Sequence, residues 1–508
     1  MFAIAAGGLA VVVSCGASDD KIKAIAEDAG GAGGDAAGTD GAAAGAAGVS
    51  STVTPTGGDG GAPSEAGTGG NNAQAGQSAG GAEAGPGGTS SGGDGGASQA
   101  CADTETDGAS CPGGLCVAGS CVAPLVIDTD ADLSADAVSP GRNCAEAPTF
   151  AVAGLTLTQA ELAAAPNAGC LSPDDEVLLI NLQGAPNATV NVGNWELLTV
   201  KSLSGAHITF TQPPQRHYGA SADSDSDIGA GVGQQKVVLI RVPHFGELTI
   251  PPGVTLTAAA WDGATGGVLA LRAASLKVDG KIAAGDIGYR AGRWSRDGGC
   301  IDSVLTDAGE SITGPGAPST LHNAGGPGGL GALTGVLFDG NTPLNPSAGH
   351  ALPGQAGLNG NGRTLGEPGA AYGSGDGSLL TMGSGSSGNV TCRGDFVGPP
   401  LLVDVPAPAA GIVLLLANTL TVGDGGSISA TPTDSSRDVS CSGGTVLIRG
   451  GSFDLGSGRV TALGSVARGV NGPTLGLSNQ SSPGYVILDA TGAITGTSDP
   501  EASIASAH

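Results

Sequence analysis

Aromatic residues are nearly missing from this chain. They make up 3% of its 508 residues, and none occurs between Phe2 and Phe150. So few large rings cannot fill one wide globular core, whereas narrow stacks of small aliphatic side chains need none. Positive charge is scarce as well: Lys and Arg total 19 against 46 Asp and Glu, for a net charge of −27. That balance excludes the basic footprint a nucleic-acid partner requires. Between Lys23 and Arg142 there is no Lys or Arg but there are 15 Asp and Glu. A stretch without cations or aromatics cannot collapse into a core.

Catalytic and metal motifs are absent in any usable context. Gly88-Thr89-Ser90-Ser91-Gly92 fits G-x-S-x-G without the strand and helix a nucleophile elbow needs. The run from Gly326 to Gly331 fits G-x-G-x-x-G with the same lack. His207, His217, His244, His322, His350 and His508 show no metal spacing. Asp128, Asp130, Asp132 and Asp223, Asp225, Asp227 each run D-x-D-x-D, but Leu133 and Ser139, or Ile228 and Gln234, stand where a calcium loop needs Gly and Glu. These read as solvated acidic loops, and neither metal nor cofactor is expected.

What the chain has in quantity is glycine, 95 residues of it, and one recurring template. From Val237 to Asp286, and again at Gly411 (GIVLLLANTLTVGDGGSISA), Gly444 (GTVLIRGGSFDLGSGRVTA) and Gly484 (GYVILDATGAITGT), short apolar strands alternate with Gly turns. Leu269, Leu271, Leu276 and Val278 alternate with Ala270, Arg272, Lys277 and Asp279. That period of two gives each strand one apolar face. A lone strand cannot bury that face, but stacked copies can. Leu414, Leu416, Leu420, Val422 and Ile428 are read as the next copy, and Val446, Ile448, Phe453, Leu455 and Val460 as the one after. On this alignment Leu271, Leu416 and Ile448 are equivalent inward residues and Ala417 points outward. The expected fold class is all-β: a right-handed parallel β-helix (solenoid) body with a Gly-rich insertion, preceded by a disordered linker. The rival is an antiparallel sandwich.

The N-terminal run MFAIAAGGLAVVVSC is too short to span a membrane, which takes about 20 residues, and has the length of a signal-peptide apolar region. Val12-Val13-Ser14-Cys15 resembles the bacterial lipobox, although no Lys or Arg precedes the run. The resemblance implies a signal peptide over 1–14 and lipidation of Cys15, with the membrane as partner through the lipid anchor. Gly16 in place of Asp points to the outer membrane or cell surface. Residues 15–100 read as a flexible Gly/Ala/Ser-rich tether. Cys101, Cys111, Cys116 and Cys121 form a small module at 101–123. It resembles the Cys-rich modules of secreted myxobacterial proteins, and two disulfides are expected rather than zinc, with the pairing open. Cys144 and Cys170 are expected to pair. Cys300, Cys392 and Cys441 are further candidates, with Cys300–Cys392 and Cys392–Cys441 both open.

Residues 124–290 read as a β-rich region with the first rungs, 291–408 as a Gly/Pro-rich insertion leaving one corner of the stack, and 409–498 as C-terminal rungs. Val177 to Gly184, Trp195 to Val200, Leu239 to Ile250, Trp261 to Arg272 and Gly288-Tyr289-Arg290 resemble the core of Gly-rich bacterial surface proteins frequent in delta-proteobacterial genomes. That resemblance implies an exported, surface-exposed body and supplies no catalytic residue. The expected function is a structural or adhesive cell-envelope lipoprotein, not an enzyme, with extracellular polysaccharide or other surface proteins as further partners. The alternative is a carbohydrate-active enzyme, a polysaccharide lyase or glycosidase. Asp262, Arg272, Asp279 and Arg290 are the one charged cluster dense enough for it. Trp195 and Trp261 read as packing residues.

Overall fold

The computed structural model describes residues 101, 107–292, 306–316, 318–319, 347–358, 364–366, 368–386, 408–433, 440–468 and 478–505. The leader 1–14, Cys15, the tether up to residue 100, Cys300 and Cys392 lie outside the described residues. All regular structure among the described residues is β-strand, with no helix.

A small three-stranded antiparallel sheet, Ser110–Cys111, Gly114–Val117 and Ser120–Val122, comes first. It is held by disulfides Cys101–Cys116 and Cys111–Cys121. Cys144 and Cys170 pair as expected.

Residues 149–241 then close into an antiparallel barrel that the sequence did not announce. Its strands are Thr149–Leu155, Gln159–Leu162, Glu176–Gln183, Trp195–Ser204, His207–Phe210 and Lys236–Arg241. Closure pairs 236–241 with both 149–155 and 176–183. Val177, Leu179, Val237 and Leu239 fill the barrel. The alternate residues Leu178, Ile180, Val238 and Ile240 belong to a second core outside it. These two strands are buried on both faces, so they are continuously apolar rather than alternating.

That second core is shared with a curled parallel sheet of 12 strands. Leu125–Val126, His244–Ile250, Val268–Val278, Ile412–Val422, Thr445–Thr461, Tyr485–Ala490 and Ser503–Ile504 lie side by side, all parallel. Ala131–Asp132, Thr255–Thr257, Lys281–Ala283 and Ser427–Ser429 form a second parallel run that meets the first at strand 445–461. Equivalent apolar residues stack in ladders: Leu248, Leu276, Leu420, Phe453 and Ile494 in one, and Leu256, Ile282, Ile428 and Val460 in another. Each fully buried aliphatic side chain of this kind contributes roughly 1.5–3 kcal/mol.

The observed register corrects the expected one at a single copy. Leu271, Leu415, Ile448 and Leu488 are equivalent, whereas Leu416 stands opposite Arg272 and Arg449. Ala417 is not an outward surface residue: it is 2% exposed. The run Ile412 to Ala417 is buried throughout, because the barrel and a Gly-rich layer cover the outside of the sheet. With both faces dry, the period of two that should fix the register disappears.

The stretch read as an insertion does not leave the stack at its described parts. The backbones of 347–350, 382–386, 440–444 and 481–484 run against one another. Ser442 N–H donates to Ser384 O at 3.1 Å, Gly443 N–H to Ser482 O at 3.1 Å, Ser482 N–H to Ala348 O at 3.1 Å and Gly383 N–H to Ala410 O at 2.8 Å. Leu380 and Met382 are fully buried in the main core. Side chains here are small because backbone packs on backbone: a Cβ on Gly309 would lie 1.9 Å from Gly385 O, and one on Gly385 2.0 Å from Arg290 O.

The same logic repeats where each long strand begins. Gly267, Gly411, Gly444 and Gly484 directly precede the paired residues Val268, Ile412, Thr445 and Tyr485. Ile412, Thr445 and Tyr485 donate their N–H groups to Gly267 O, Gly411 O and Gly444 O at 2.9, 3.2 and 3.0 Å. A Cβ would meet the preceding carbonyl oxygen at 2.4 Å on Gly411, 1.9 Å on Gly444 and 1.7 Å on Gly484.

Candidate functional site

The outward side of the parallel sheet carries a column of residues, all but one of them polar, that crosses the strands. His244, Arg272, Leu416, Arg449 and Asp489 occupy the same register on successive strands. Glu176, on the barrel strand above, lies 2.9 Å from His244 Nε2 and accepts from Arg272 Nε and Nη2 at 2.8 and 2.7 Å. Burial pushes the Glu176 carboxyl up, but the hydrogen bonds from His244 and Arg272 outweigh it and hold the group at about 2. Asp107, from the disulfide module, lies 3.4 Å from Arg272 Nη1. One rung-pair along, Arg449 Nε donates to Asp489 at 2.7 Å, and its guanidinium lies 5.1 Å from the centroid of Trp195.

Over this column the surface opens into a trough. One part, a cleft of about 420 Å³, is lined by Trp195, Glu196, Arg216, Asp376, Ser378 and Arg449 among others. The next part, about 270 Å³, is lined by Asp107, Arg272, Asn418, Arg449, Gly451 and Thr491 among others. Leu197 and Arg449 line both, so the two parts adjoin. Three regions build the walls: the barrel gives Trp195, Glu196 and Arg216, the Gly-rich layer Asp376 and Ser378, and the parallel sheet Arg449 and Asn418.

The acidic groups of the trough are already supplied with donors. Glu196 accepts from Gln215 N–H at 2.7 Å, Arg216 N–H at 2.8 Å and the Tyr218 hydroxyl at 2.9 Å. Burial, with Glu196 beside it, pushes the Tyr218 phenol far up, so it is a donor at any ordinary pH. Asp376 accepts from the Ser374 hydroxyl and, at 2.8 Å, from Ser378 N–H. The hydrogen bonds from Ser374 and Ser378 hold its carboxyl at about 2. Asp376 is exposed and ionised. Trp195 is 5% exposed and donates its indole N–H to Gly377 O at 3.0 Å; it supports Arg449 from below and offers no open face.

Of the charged cluster singled out in the sequence, Asp262 and Arg290 are brought together, Arg290 Nη1 donating to Asp262 O at 2.7 Å, while Arg272 and Asp279 are held by other partners. Arg272 is taken by Glu176 and Asp107. Asp279 pairs with Lys277 at 2.7 Å. Asp262 accepts from Ala264 N–H and Thr265 N–H in its own turn, each at 2.8 Å. Arg290 binds the buried Glu310 at 2.9 Å. In the acidic loops, Asp130 accepts from Thr255 N–H at 2.7 Å and Asp225 from Tyr218 N–H at 2.8 Å. Cys441 is buried with its Sγ 3.4 Å from Ser465 Oγ. Sequence reading missed Arg216, Asp376 and Arg449 as partners. Asp376 sits in GSGDGSLL, which resembles its low-complexity surroundings, and no motif links it to Trp195.

No family model matches the chain, and no curated protein matches it either. Among solved structures it is similar to the tailspike of Pseudomonas phage phi297, at 12% identity over 74% of this chain and 63% of that one, with a TM-score of 0.15. It is also similar to a tailspike of Acinetobacter baumannii bacteriophage AP22 solved in complex with A. baumannii capsular saccharide, at 10% identity over 69% of this chain and 57% of that one, TM-score 0.14. The chain thus spans less than two thirds of either tailspike. These neighbours stand against two expectations, a structural or adhesive role without catalysis and a chain that is not an enzyme. Both are withdrawn. At these TM-scores the likeness carries no argument of its own, so the case rests on the trough.

Proposed function

We propose that this chain is a carbohydrate-active protein whose body is a right-handed parallel β-helix and whose trough takes an extended polysaccharide. The observation that carries this reading is the trough itself: open, crossing neighbouring strands, and lined by guanidinium, carboxylate, amide and hydroxyl groups. Such groups match the hydroxyl-rich edges of sugars, and an open groove admits a polymer from the side. In this reading Asp376 is the group that acts on the bound chain. Exposed on the cleft wall and ionised, with its carboxyl held at about 2, it suits a carboxylate that orients the chain by accepting from a sugar hydroxyl rather than one that donates a proton. The test is reducing-end or unsaturated-product release from a panel of bacterial capsular and plant polysaccharides. Wild-type protein should release product, and Asp376→Asn should lower the rate at least tenfold while still binding the chain. A wild-type protein that neither binds nor cleaves any polymer would remove the reading.

The reading includes an address. An exported protein held at the outer membrane or cell surface through lipidated Cys15, with the 15–100 tether carrying the 101–123 module and the β-rich regions 124–290 and 409–498 outward, would set the trough among extracellular polymers. The support is the Val12-Val13-Ser14-Cys15 run. Two or more acyl chains anchor firmly where one is marginal. Cys15→Ser should abolish labelling by a fatty-acid analogue and move the protein from the membrane to the soluble fraction. Unchanged membrane association would refute the anchor.

A further inference from the structure

We infer that the polysaccharide taken by this trough is anionic, and that Arg216, with Arg449 beside it, grips a carboxylate or sulfate on the chain. This rests on the glycan reading above and sharpens it to a substrate class.

Arg216 carries a charge that no described carboxylate meets within 4.0 Å. Arg142, Arg241, Arg272, Arg290, Arg449 and Arg459 each have a carboxylate within 4.0 Å. Among the arginines whose side chains are described, Arg216 is the one with no such partner. Its Nη1 donates to Ser378 O across the trough. That contact fixes where the guanidinium points without neutralising it. Neither described carboxylate of the same cleft forms an ion pair with it: Glu196 accepts from three other donors, and the exposed Asp376 accepts from its serine turn. The cleft thus presents an anchored, planar fork of donors on its wall. A guanidinium in this state binds a carboxylate or sulfate through paired, charge-assisted hydrogen bonds. Arg449 lines the same cleft and is held over Trp195 by Asp489, which places a second guanidinium along the path of the same chain.

The net charge of −27 sharpens the point. An acidic protein repels a polyanion at long range. Any preference it shows for an anionic chain must therefore come from a local site and not from general attraction.

The experiment uses the full chain and four polymers: polygalacturonate, the same polymer with its carboxyls reduced to alcohols, dextran sulfate and dextran. Binding is read by affinity electrophoresis or calorimetry at fixed salt. We expect one charged polymer to bind at least tenfold more tightly than its uncharged counterpart, and the carboxylate and sulfate arms to show which anion is meant. Arg216→Gln should erase that preference, and Arg216→Lys should retain part of it, with circular dichroism and unfolding midpoint unchanged in both. Uncharged chains binding as tightly as charged ones would overturn the anionic inference and leave the glycan reading intact. An undiminished preference in Arg216→Gln would overturn the role of Arg216. Absence of binding to all four would remove this inference, and the failure of the wider polysaccharide panel would be needed to remove the glycan reading as well.

Discussion

Gly444→Ala should destabilise the fold by about 3 kcal/mol, the upper part of the usual range for overpacking a rigid interior. The new methyl carbon would lie 1.9 Å from Gly411 O and 2.9 Å from the Ala410 carbonyl group. All of these are backbone atoms, so no side chain can swing aside. Relief requires strands 412–422 and 445–461 to separate, which strains the bond from Thr445 N–H to Gly411 O and that from Gly444 N–H to Ala430 O, now 3.2 and 2.9 Å. Gly425→Ala is the control. It lies in an exposed turn, and the nearest atom to its added carbon is Asp279 O at 3.4 Å, an ordinary contact. Chain-entropy effects should leave that variant at wild-type stability or slightly above it. Denaturant midpoints of the two variants measure the difference. Equal losses would mean that the glycine column is not a packing constraint.

Acid should weaken the protein between pH 6.5 and 4 through one residue. His350 is fully buried between Tyr372 and Tyr485, with ring centroids 4.8 and 5.1 Å away. Nδ1 donates to Gly443 O at 2.6 Å, and Nε2 accepts from the Thr381 hydroxyl at 2.8 Å. Burial pulls the imidazole down to about 4, against a smaller upward pull from the Gly443 carbonyl. Because the folded value lies below the unfolded 6.5, the unfolded chain binds the proton first. The stabilisation is complete above pH 6.5 and is lost as pH falls to about 4, a change of about 3 kcal/mol. Glu176, held at about 2, adds its own loss only below its ordinary carboxylate range, so the upper part of the window reports His350. His350→Gln keeps a donor and an acceptor without the titration, and its stability should be nearly flat from pH 6.5 to 4.5. A wild-type curve as flat as the variant's would refute the assignment.

How far the sequence could be read depended on which faces are dry. Around Leu276 and Val278, the solvent-facing Lys277 and Asp279 marked the alternation, and the observed ladder follows it. At Ile412 to Ala417 no polar residue marks the outer face, and the expected register slipped by one. The marker was present elsewhere. Counting forward from Gly267, Gly411 and Gly444 brings Leu271, Leu415 and Ile448 into line, and with them Arg272, Leu416 and Arg449. The glycines carry the register because the rungs touch there by backbone. The barrel was legible as strands but not as a barrel, since its closure depends on 236–241 finding 149–155, a long-range pairing that no local pattern encodes. The trough was illegible for the same reason: its walls come from three regions, and Trp195 meets Gly377 across 182 residues.

The parallel pairing of 268–278 with 412–422 also sets a timetable for synthesis. A parallel neighbour cannot be reached by a hairpin, and here it arrives about 140 residues later, a separation that slows folding through loop closure. The antiparallel barrel can close once residue 241 has emerged. The sheet cannot grow past 268–278 until residue 422 has, a delay on the order of 10 s at typical synthesis rates. During that interval Val268, Leu269, Ala270 and Leu271, all buried in the finished molecule, line an open strand edge that another chain could occupy. The low-complexity stretch, whose described parts later pack on the sheet, is until then the interval of exposure itself.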